Sequence, residues 1–435
     1  MGAILLALFL ATVAWAVVAG AGMRERCPVA WWYLTGYPAT ACRIVWTWRK
    51  VATHTDLAVS PRPRRGLVGD LVVKGDPLRL VAPRISFPRA TRTGVTLEVR
   101  LHPGQTPAPF IAAADALTHA WRVHAVRVTS PERGRVHITA LASDPLLRPG
   151  LVSAPAAHLS ALVGVLESGG AWVINLRRVP HWLIVGATQS GKSTLLARLI
   201  AQFSTQHVGL IGIDCKGGIE LGLFEPRLSA LATNRREAVV VLGSVVNDLD
   251  VRMKACRSAG VRSIWDLPDK LRPVPLVVIV DELAELYLAD GTRTGKAEVE
   301  QCSTLLLRIA QLGGALGVHL VVAGQRIGSE LGSGVTALRA QLSGRVCHRV
   351  NDPGTAEMAL GDLNKDAVTV VQSIATNEQG TAVVAGPDGG WARARSHLTT
   401  VDEALQTALK YSDLTPALPG VYRALLLAGE GGDAS

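Results

Sequence analysis

Residues 186–193 read Gly186-Ala187-Thr188-Gln189-Ser190-Gly191-Lys192-Ser193, the complete pattern G-x-x-x-x-G-K-[ST]. Leu183-Ile184-Val185 forms a strand running into this loop, and residues 195–203 carry the apolar spacing of a helix running out of it. A glycine-rich turn between strand and helix presents successive backbone N–H groups and the positive end of the helix, which together make a concave anion site. Gly186 and Gly191 allow the tight backbone path. Lys192 is placed to reach the β- and γ-phosphates and Ser193 to ligate Mg²⁺, while Ala187, Thr188, Gln189, Ser190 and Thr194 complete the cradle. ATP and Mg²⁺ are the expected cofactors.

The second half of such a site lies 90 residues on. Pro275-Leu-Val-Val-Ile-Val-Asp281-Glu282 is a buried strand that delivers two carboxylates at its C-terminal edge, where open α/β sheets hold their ligands. Asp281 is expected to hold Mg²⁺ through water, and Glu282 to polarise the attacking water. A third apolar run ends in Gly324-Gln325-Arg326, so Gln325 is a candidate to bond the γ-phosphate and that water; the competing reading is a polar residue capping a strand. Around these motifs, from residue 160 to about 400, apolar strands at 182–185, 208–213, 276–280 and 318–323 alternate with helical segments, the pattern of a parallel sheet covered by helices.

Of the 435 residues, 48% are apolar, ample for more than one core, and the net charge is +10. The charge is uneven. Residues 24–150 hold 19 Lys+Arg against 8 Asp+Glu, a balance of +11, which leaves about −1 for the rest. A basic first third and a near-neutral remainder point to an anionic partner for the former, either nucleic acid or a membrane surface, with a solvated Arg-rich face as the plain alternative. Six cysteines show neither C-x-x-C nor zinc spacing and read as reduced thiols.

Residues 3–22 carry no charge and are followed by Arg24 and Arg26. Twenty helical residues span about 30 Å, so residues 1–26 are expected to be a transmembrane helix, with the basic flank keeping the rest of the chain in the cytoplasm. The chain would then sit in the cytoplasmic membrane with its ATPase inside the cell. Residues 27–66 form a Trp-rich basic stretch and linker; Trp31, Trp32, Tyr33, Tyr37, Trp46 and Trp48 suggest an interfacial segment, or a second short span over 29–45 that Pro38 and Arg43 weaken. Residues 67–150 come next as a small α/β domain, with strands near 78–85, 95–101, 125–129 and 136–141 and a helix over 108–121. Residues 151–400 are expected to form the P-loop ATPase domain and 401–435 a short tail.

These motifs, in order, resemble the FtsK/SpoIIIE family of double-stranded DNA translocases. Besides the loop and the Asp281-Glu282 pair, Ile213-Asp214-Cys-Lys216 with Glu220-Leu221 is similar to the family's I-D-P-K…E-L element. Arg252-Met-Lys254 followed by Gly260-Val-Arg262-Ser-Ile264 resembles its R-Y-K…G-V-R-N stretch, and Gly317-Val-His319-Leu-Val-Val-Ala-Gly-Gln325-Arg326 its G-I-H-L-V-L-A-T-Q-R strand. Leu97-Glu-Val-Arg100-Leu-His-Pro103-Gly104 resembles the strand and loop of its preceding domain, and the Trp-rich segment in this domain order is similar to actinomycete plasmid-transfer proteins.

The resemblance implies a RecA-like α/β P-loop ATPase with a central parallel sheet, assembled as a homo-hexamer around double-stranded DNA. It also implies a trans-acting arginine, for which Arg345 aligns best and Arg339 and Arg349 are alternatives. The family's R-T pair is not evident around Asn351-Asp-Pro-Gly354. Only about 35 residues follow Thr400, too few for the family's DNA-reading winged helix, so sequence-directed orientation is not expected of this chain. The resulting expectation is membrane-anchored, ATP-driven transfer of duplex DNA, together with other transfer proteins that the sequence leaves unidentified. A chromosome-partition translocase, a type VII-like protein-export ATPase and a non-hydrolysing DNA scaffold are the alternatives.

Overall fold

The computed structural model describes residues 26–59, 80–147, 152–154, 156–289, 291–332, 334–361, 365–386, 390–421 and 424–425. The chain divides into two compact units, one ending at Arg148 and the other beginning at Pro149.

In the first unit, a helical turn (Pro28–Trp31) and a π-helical turn (Trp32–Gly36) lead into α1 (Tyr37–His54). Strands β1 (Arg84–Ile85), β2 (Arg89–Ala90) and β3 (Gly94–Arg100) come next, then α2 (Ala108–Ala112) and α3 (Ala114–Trp121), and finally β4 (Ala125–Thr129) and β5 (Arg135–Leu141). The strands pair antiparallel in the order β1-β3-β5-β4, with β2 also on β3. Val95, Leu97 and Val99 alternate inward with Val136 and Ile138, the period-two signature of a sheet with one buried face. Phe110, Leu117 and Trp121 cover that face together with Ile44, Trp48 and Ala52 of α1.

In the Trp-rich stretch the structure packs Trp32, Tyr37 and Trp48 against the unit's own backbone, while Tyr33 and Trp46 stay exposed. The Trp32 indole N–H donates to the Thr91 carbonyl at 2.7 Å, Trp48 to Pro83 at 2.8 Å, and the Tyr37 hydroxyl to Pro88 at 2.9 Å. Arg43, which weakened a second span, donates to the Trp121 carbonyl at 2.8 Å. An amphipathic ring needs an apolar bed and one polar partner, and a protein surface supplies both as well as a headgroup layer does. The expected membrane location is corrected: among the described residues, no helix is long and apolar enough to cross a membrane. Residues 3–22, expected as the span, lie outside the described residues.

The second unit opens with a hairpin, β6 (Ser160–Leu166) and β7 (Ala171–Asn175), followed by β8 (His181–Val185), α4 (Lys192–Ser204), β9 (Gly209–Ile213), β10 (Ala230–Ala232), α5 (Arg235–Ser258) and β11 (Leu276–Val280). It continues through α6 (Leu283–Tyr287), α7 (Arg293–Leu316), β12 (Val318–Gly324), α8 (Val335–Gln341), β13 (Gly344–His348), α9 (Pro353–Ala356), α10 (Lys365–Gln372), β14 (Thr381–Ala385), β15 (Trp391–Ser396) and α11 (Val401–Lys410).

The sheet has ten strands in the order β10-β9-β11-β12-β8-β13-β14-β15-β6-β7. The first six are parallel, and the last four are added antiparallel. The expected parallel sheet is therefore the parallel part of a mixed sheet. Its strands β8, β9 and β11 are buried along their whole length, as strands covered on both faces must be. One cluster joins a face of the sheet to α5 and α7; a second joins the other face to α4 and α11. The order matters for the site: β12 lies between β8 and β11, so the end of the third apolar run falls between the glycine-rich loop and the two carboxylates.

Candidate active site

The loop after β8 has the backbone the sequence requires. Gly191 has φ +111°, a value open to glycine, and a Cβ there would lie 2.7 Å from the backbone of Gly380. A Cβ on Gly186 would fall 2.4 Å from Ser190 Oγ and 2.9 Å from His348 Cβ. Gln189 also takes a left-handed φ of +61°. The loop is pinned at both ends, with Ala187 N–H donating to the Arg349 carbonyl at 2.9 Å and Gly380 N–H to the Ser190 carbonyl at 2.9 Å. α4 starts at Lys192 with no side-chain cap, so the N–H groups of its first turn are left for an anion. Ser193, Thr188 and Gln189 are exposed, and Thr194 and Gly191 are half-buried. Ser190 Oγ is buried and has no hydrogen-bond partner among the described residues. A cradle that glycine alone fits, an uncapped helix start and an orphaned hydroxyl together suit a nucleotide's phosphates.

Lys192 crosses to the carboxylates. Its Nζ donates to the Asp281 carbonyl at 3.1 Å and lies 3.4 Å from Glu282 Oε2, with both side chains buried. The Gln325 backbone N–H donates to Glu282 Oε1 at 3.0 Å, and Thr188 Oγ1 lies 3.5 Å from Gln325 Oε1. The structure thus brings together the loop, Asp281, Glu282 and Gln325.

It also adds a residue that sequence reasoning left without a role. Lys216 Nζ sits 3.5 Å from Asp281 Oδ2 and 3.7 Å from Glu282 Oε2. Burial alone would lower its pKa, but the two carboxylates outweigh that and raise it. Asp214, fully buried, shapes the turn that carries Lys216 by accepting the N–H groups of Lys216, Glu220 and Leu221 at 3.2, 2.8 and 3.0 Å. Two ammonium groups against two buried carboxylates mark a position built for positive charge, which Mg²⁺ bound through Asp281 and Ser193 would fit. The signal was present in Ile213-Asp214-Cys-Lys216, but which lysine meets which carboxylate depends on β9 lying beside β11.

Arg345 lies elsewhere. It is buried near the start of β13, opposite Leu183, and its guanidinium donates to the carbonyls of Ala359 and Arg339. Arg339 donates to the Ile327 carbonyl at 3.3 Å. Of the three arginines, Arg349 reaches the loop, with Nη2 3.2 Å from the Thr188 carbonyl and Nη1 3.0 Å from Asn351 Oδ1.

Comparison with known proteins agrees with this geometry. Residues 152–329 match the model of the FtsK/SpoIIIE family, and residues 19–142 that of the actinomycete conjugal transfer protein N-terminal domain. The chain is 41% identical over 351 residues to the transfer protein TraSA of Streptomyces ambofaciens, covering 78% of this chain and 84% of that protein. The chain belongs to the FtsK/SpoIIIE family. Within it, a DNA translocase FtsK of Campylobacter jejuni is 25% identical over 276 residues, which span 58% of this chain but 28% of that protein. The fold is also that of the pCW3 conjugation coupling protein TcpA, solved as a monomer with ATPγS. The TM-score is 0.55 and the identity 20%, over 76% of this chain and 93% of that one. This is a family of P-loop ATPases.

Proposed function

We propose that the chain is an ATP-driven translocase of double-stranded DNA serving conjugal transfer, working as a homo-hexameric ring around the duplex. The observation that carries this reading is the convergence of Lys192, Glu282 and Gln325 on one sheet edge, in a chain 41% identical to a transfer protein. In this reading the loop from Gly186 to Thr194 holds ATP, and Ser193 and Asp281 hold Mg²⁺. Glu282 activates the attacking water, and Gln325 orients water and γ-phosphate. A neighbour's arginine stabilises charge on the transferring phosphoryl group, a role worth roughly 10³–10⁵ in rate for P-loop enzymes. Arg345 is the family-aligned choice for that arginine, and Arg349 and Arg339 are the others. DNA contacts in such a ring go mainly to phosphates, so stimulation should be independent of sequence.

The test is ATP hydrolysis by the full chain, at concentrations where assembly is verified, with and without duplex DNA of several sequences. A stimulated rate of similar size for each duplex supports the reading. Assembled protein that ignores every duplex but responds to a polypeptide overturns it.

A further inference from the structure

The sheet of the first unit has a second face that its core does not use. Cross-strand partners share a face, so the register from Arg84 to Arg100 to Arg135 sets three arginines in one row across β1, β3 and β5. A second row holds Arg89 opposite Thr96, which faces Thr139, which in turn faces Arg127. Between the rows stand Glu98 and His137. Arg84, Arg89 and Arg100 are exposed. Five arginines stand on this face against Glu98, with Glu132 beside Arg135. A cleft of about 240 Å³ opens on it, lined by Arg84, Ser86, Glu98, Arg100 and Arg135 among others. Arg135 lies 3.5 Å from Glu98 and 3.7 Å from Glu132, but all three side chains are open to solvent, so these pairs hold it weakly.

We infer that this sheet face binds the phosphate backbone of duplex DNA, with Arg84, Arg100 and Arg135 gathered on one strand's phosphates and Arg89 and Arg127 on the other's. The inference rests on DNA being the substrate, as proposed above, and adds a second contact outside the ATPase unit. Two arguments choose the occupant. The charge is complementary to phosphate, and arginine forks match phosphate oxygens in pairs. The rows are four residues apart along β3, about 14 Å at roughly 3.4 Å per residue, comparable to the ~12 Å width of the major groove between two phosphate strands. A single phosphate or a diffuse anionic surface would not call for two rows at that distance. The contact is to backbone and so carries no base readout.

The experiment uses the full chain and a labelled duplex, with affinity measured by anisotropy across a salt series. The triple variant R84Q/R100Q/R135Q is compared with R49Q/K50Q/R122Q, which removes the same charge from exposed positions off this face. Each phosphate contact contributes about 0.9 to the slope of log K against log salt, so the triple variant should lower the slope by about 2.7 and weaken binding by ~10-fold or more at physiological salt. The control variant should leave the slope within about 1 of wild type. Saturating duplex should still stimulate hydrolysis in the triple variant, with more DNA needed for half effect. Melting curves that match wild type confirm that it folds.

An unchanged slope in the triple variant, with DNA stimulation intact, overturns the inference and leaves the translocase reading standing. Equal losses in triple and control variants also overturn it, because net charge alone would then account for binding. Arg-dependent binding to vesicles of anionic lipid, with no effect on duplex affinity, assigns the face to a different partner and likewise overturns it. Failure of wild type to bind or respond to any duplex removes the proposed function itself.

Discussion

The backbone N–H of Gln325 donates to Glu282 Oε1 at 3.0 Å, while Lys192 Nζ stands 3.4 Å from Oε2 of the same carboxylate. Glu282 is therefore held on both oxygens, by the end of β12 on one side and by the phosphate-loop lysine on the other. Nucleotide that draws Lys192 onto its phosphates would leave Oε2 facing Lys216 alone, at 3.7 Å. Glu282→Gln keeps the shape and the bond from Gln325 but loses the negative charge. We expect nucleotide affinity within about threefold of wild type and hydrolysis at least ~100-fold slower, the lower range for a lost general base. Near-normal turnover would show that another group activates water.

Lys192→Ala removes the charge that faces the phosphates and leaves Glu282 facing Lys216 alone. Hydrolysis should fall below detection, and nucleotide binding should weaken by at least ~10-fold, the size of one lost charge-assisted contact. Equilibrium binding of a fluorescent nucleotide checks the second part independently of turnover.

Lys216 offsets the same two carboxylates from the β9 side at 3.5 and 3.7 Å. Lys216→Ala should lower the melting temperature of nucleotide-free protein, by an amount corresponding to about 1 kcal/mol, because the lysine is more than a third exposed and water screens the pair. Mg²⁺ with ADP should restore most of the loss, since the metal would supply charge at the same carboxylates. A melting temperature that drops equally with and without Mg²⁺–ADP would show that Lys216 acts through packing of its turn instead.

Arg345 is buried and bonded to two backbone carbonyls. Removing its guanidinium takes a donor from each of those carbonyls, of which Arg339's keeps the Leu342 N–H, and Arg345→Ala should cost about 2–3 kcal/mol of stability. Mixing Arg345→Ala with Lys192→Ala subunits tests the trans role separately. Partial recovery of hydrolysis assigns Arg345 to the subunit interface, and no recovery in assembled rings turns the search to Arg349 and Arg339.

The parts of this molecule that could be read from sequence are those whose chemistry is local. The loop at 186–193, the strand before it and the buried runs ending at Val280 and Gly324 carry their pattern within a few residues, and each lies where its period places it. What could not be read depends on partners distant in the chain. β6 and β7 precede the loop in sequence yet sit at the far edge of the sheet, beyond β15, so their antiparallel pairing has no local mark. Trp32 and Trp48 suit a headgroup layer or a protein surface equally by composition, and only the carbonyls of Thr91 and Pro83 decide between them. Arg345 matches the family's alignment, but alignment does not report that its guanidinium is already engaged.

His348 closes β13 directly behind the phosphate loop and is fully buried, with Nδ1 3.2 Å from the Thr381 carbonyl and Nε2 without a partner among the described residues. Burial pushes its pKa down to about 4, with the Lys192 charge acting in the same direction and the Thr381 carbonyl against it. His181 and His319 are likewise buried and lowered, to about 4 and about 3. The folded protein thus keeps these rings neutral where the unfolded chain, with pKa near 6.5, takes up protons. Between pH 6.5 and about 4 the unfolded state binds more protons, so stability is greatest above 6.5 and falls as pH drops through that window. A shift from 6.5 to about 4 corresponds to on the order of 3 kcal/mol for a histidine titrated across it. Melting temperature should therefore decline from pH 7 to pH 4.5, and His348→Gln, which cannot be charged, should decline less steeply over the same range. Parallel pH curves for the two proteins would place the acid sensitivity in the other histidines.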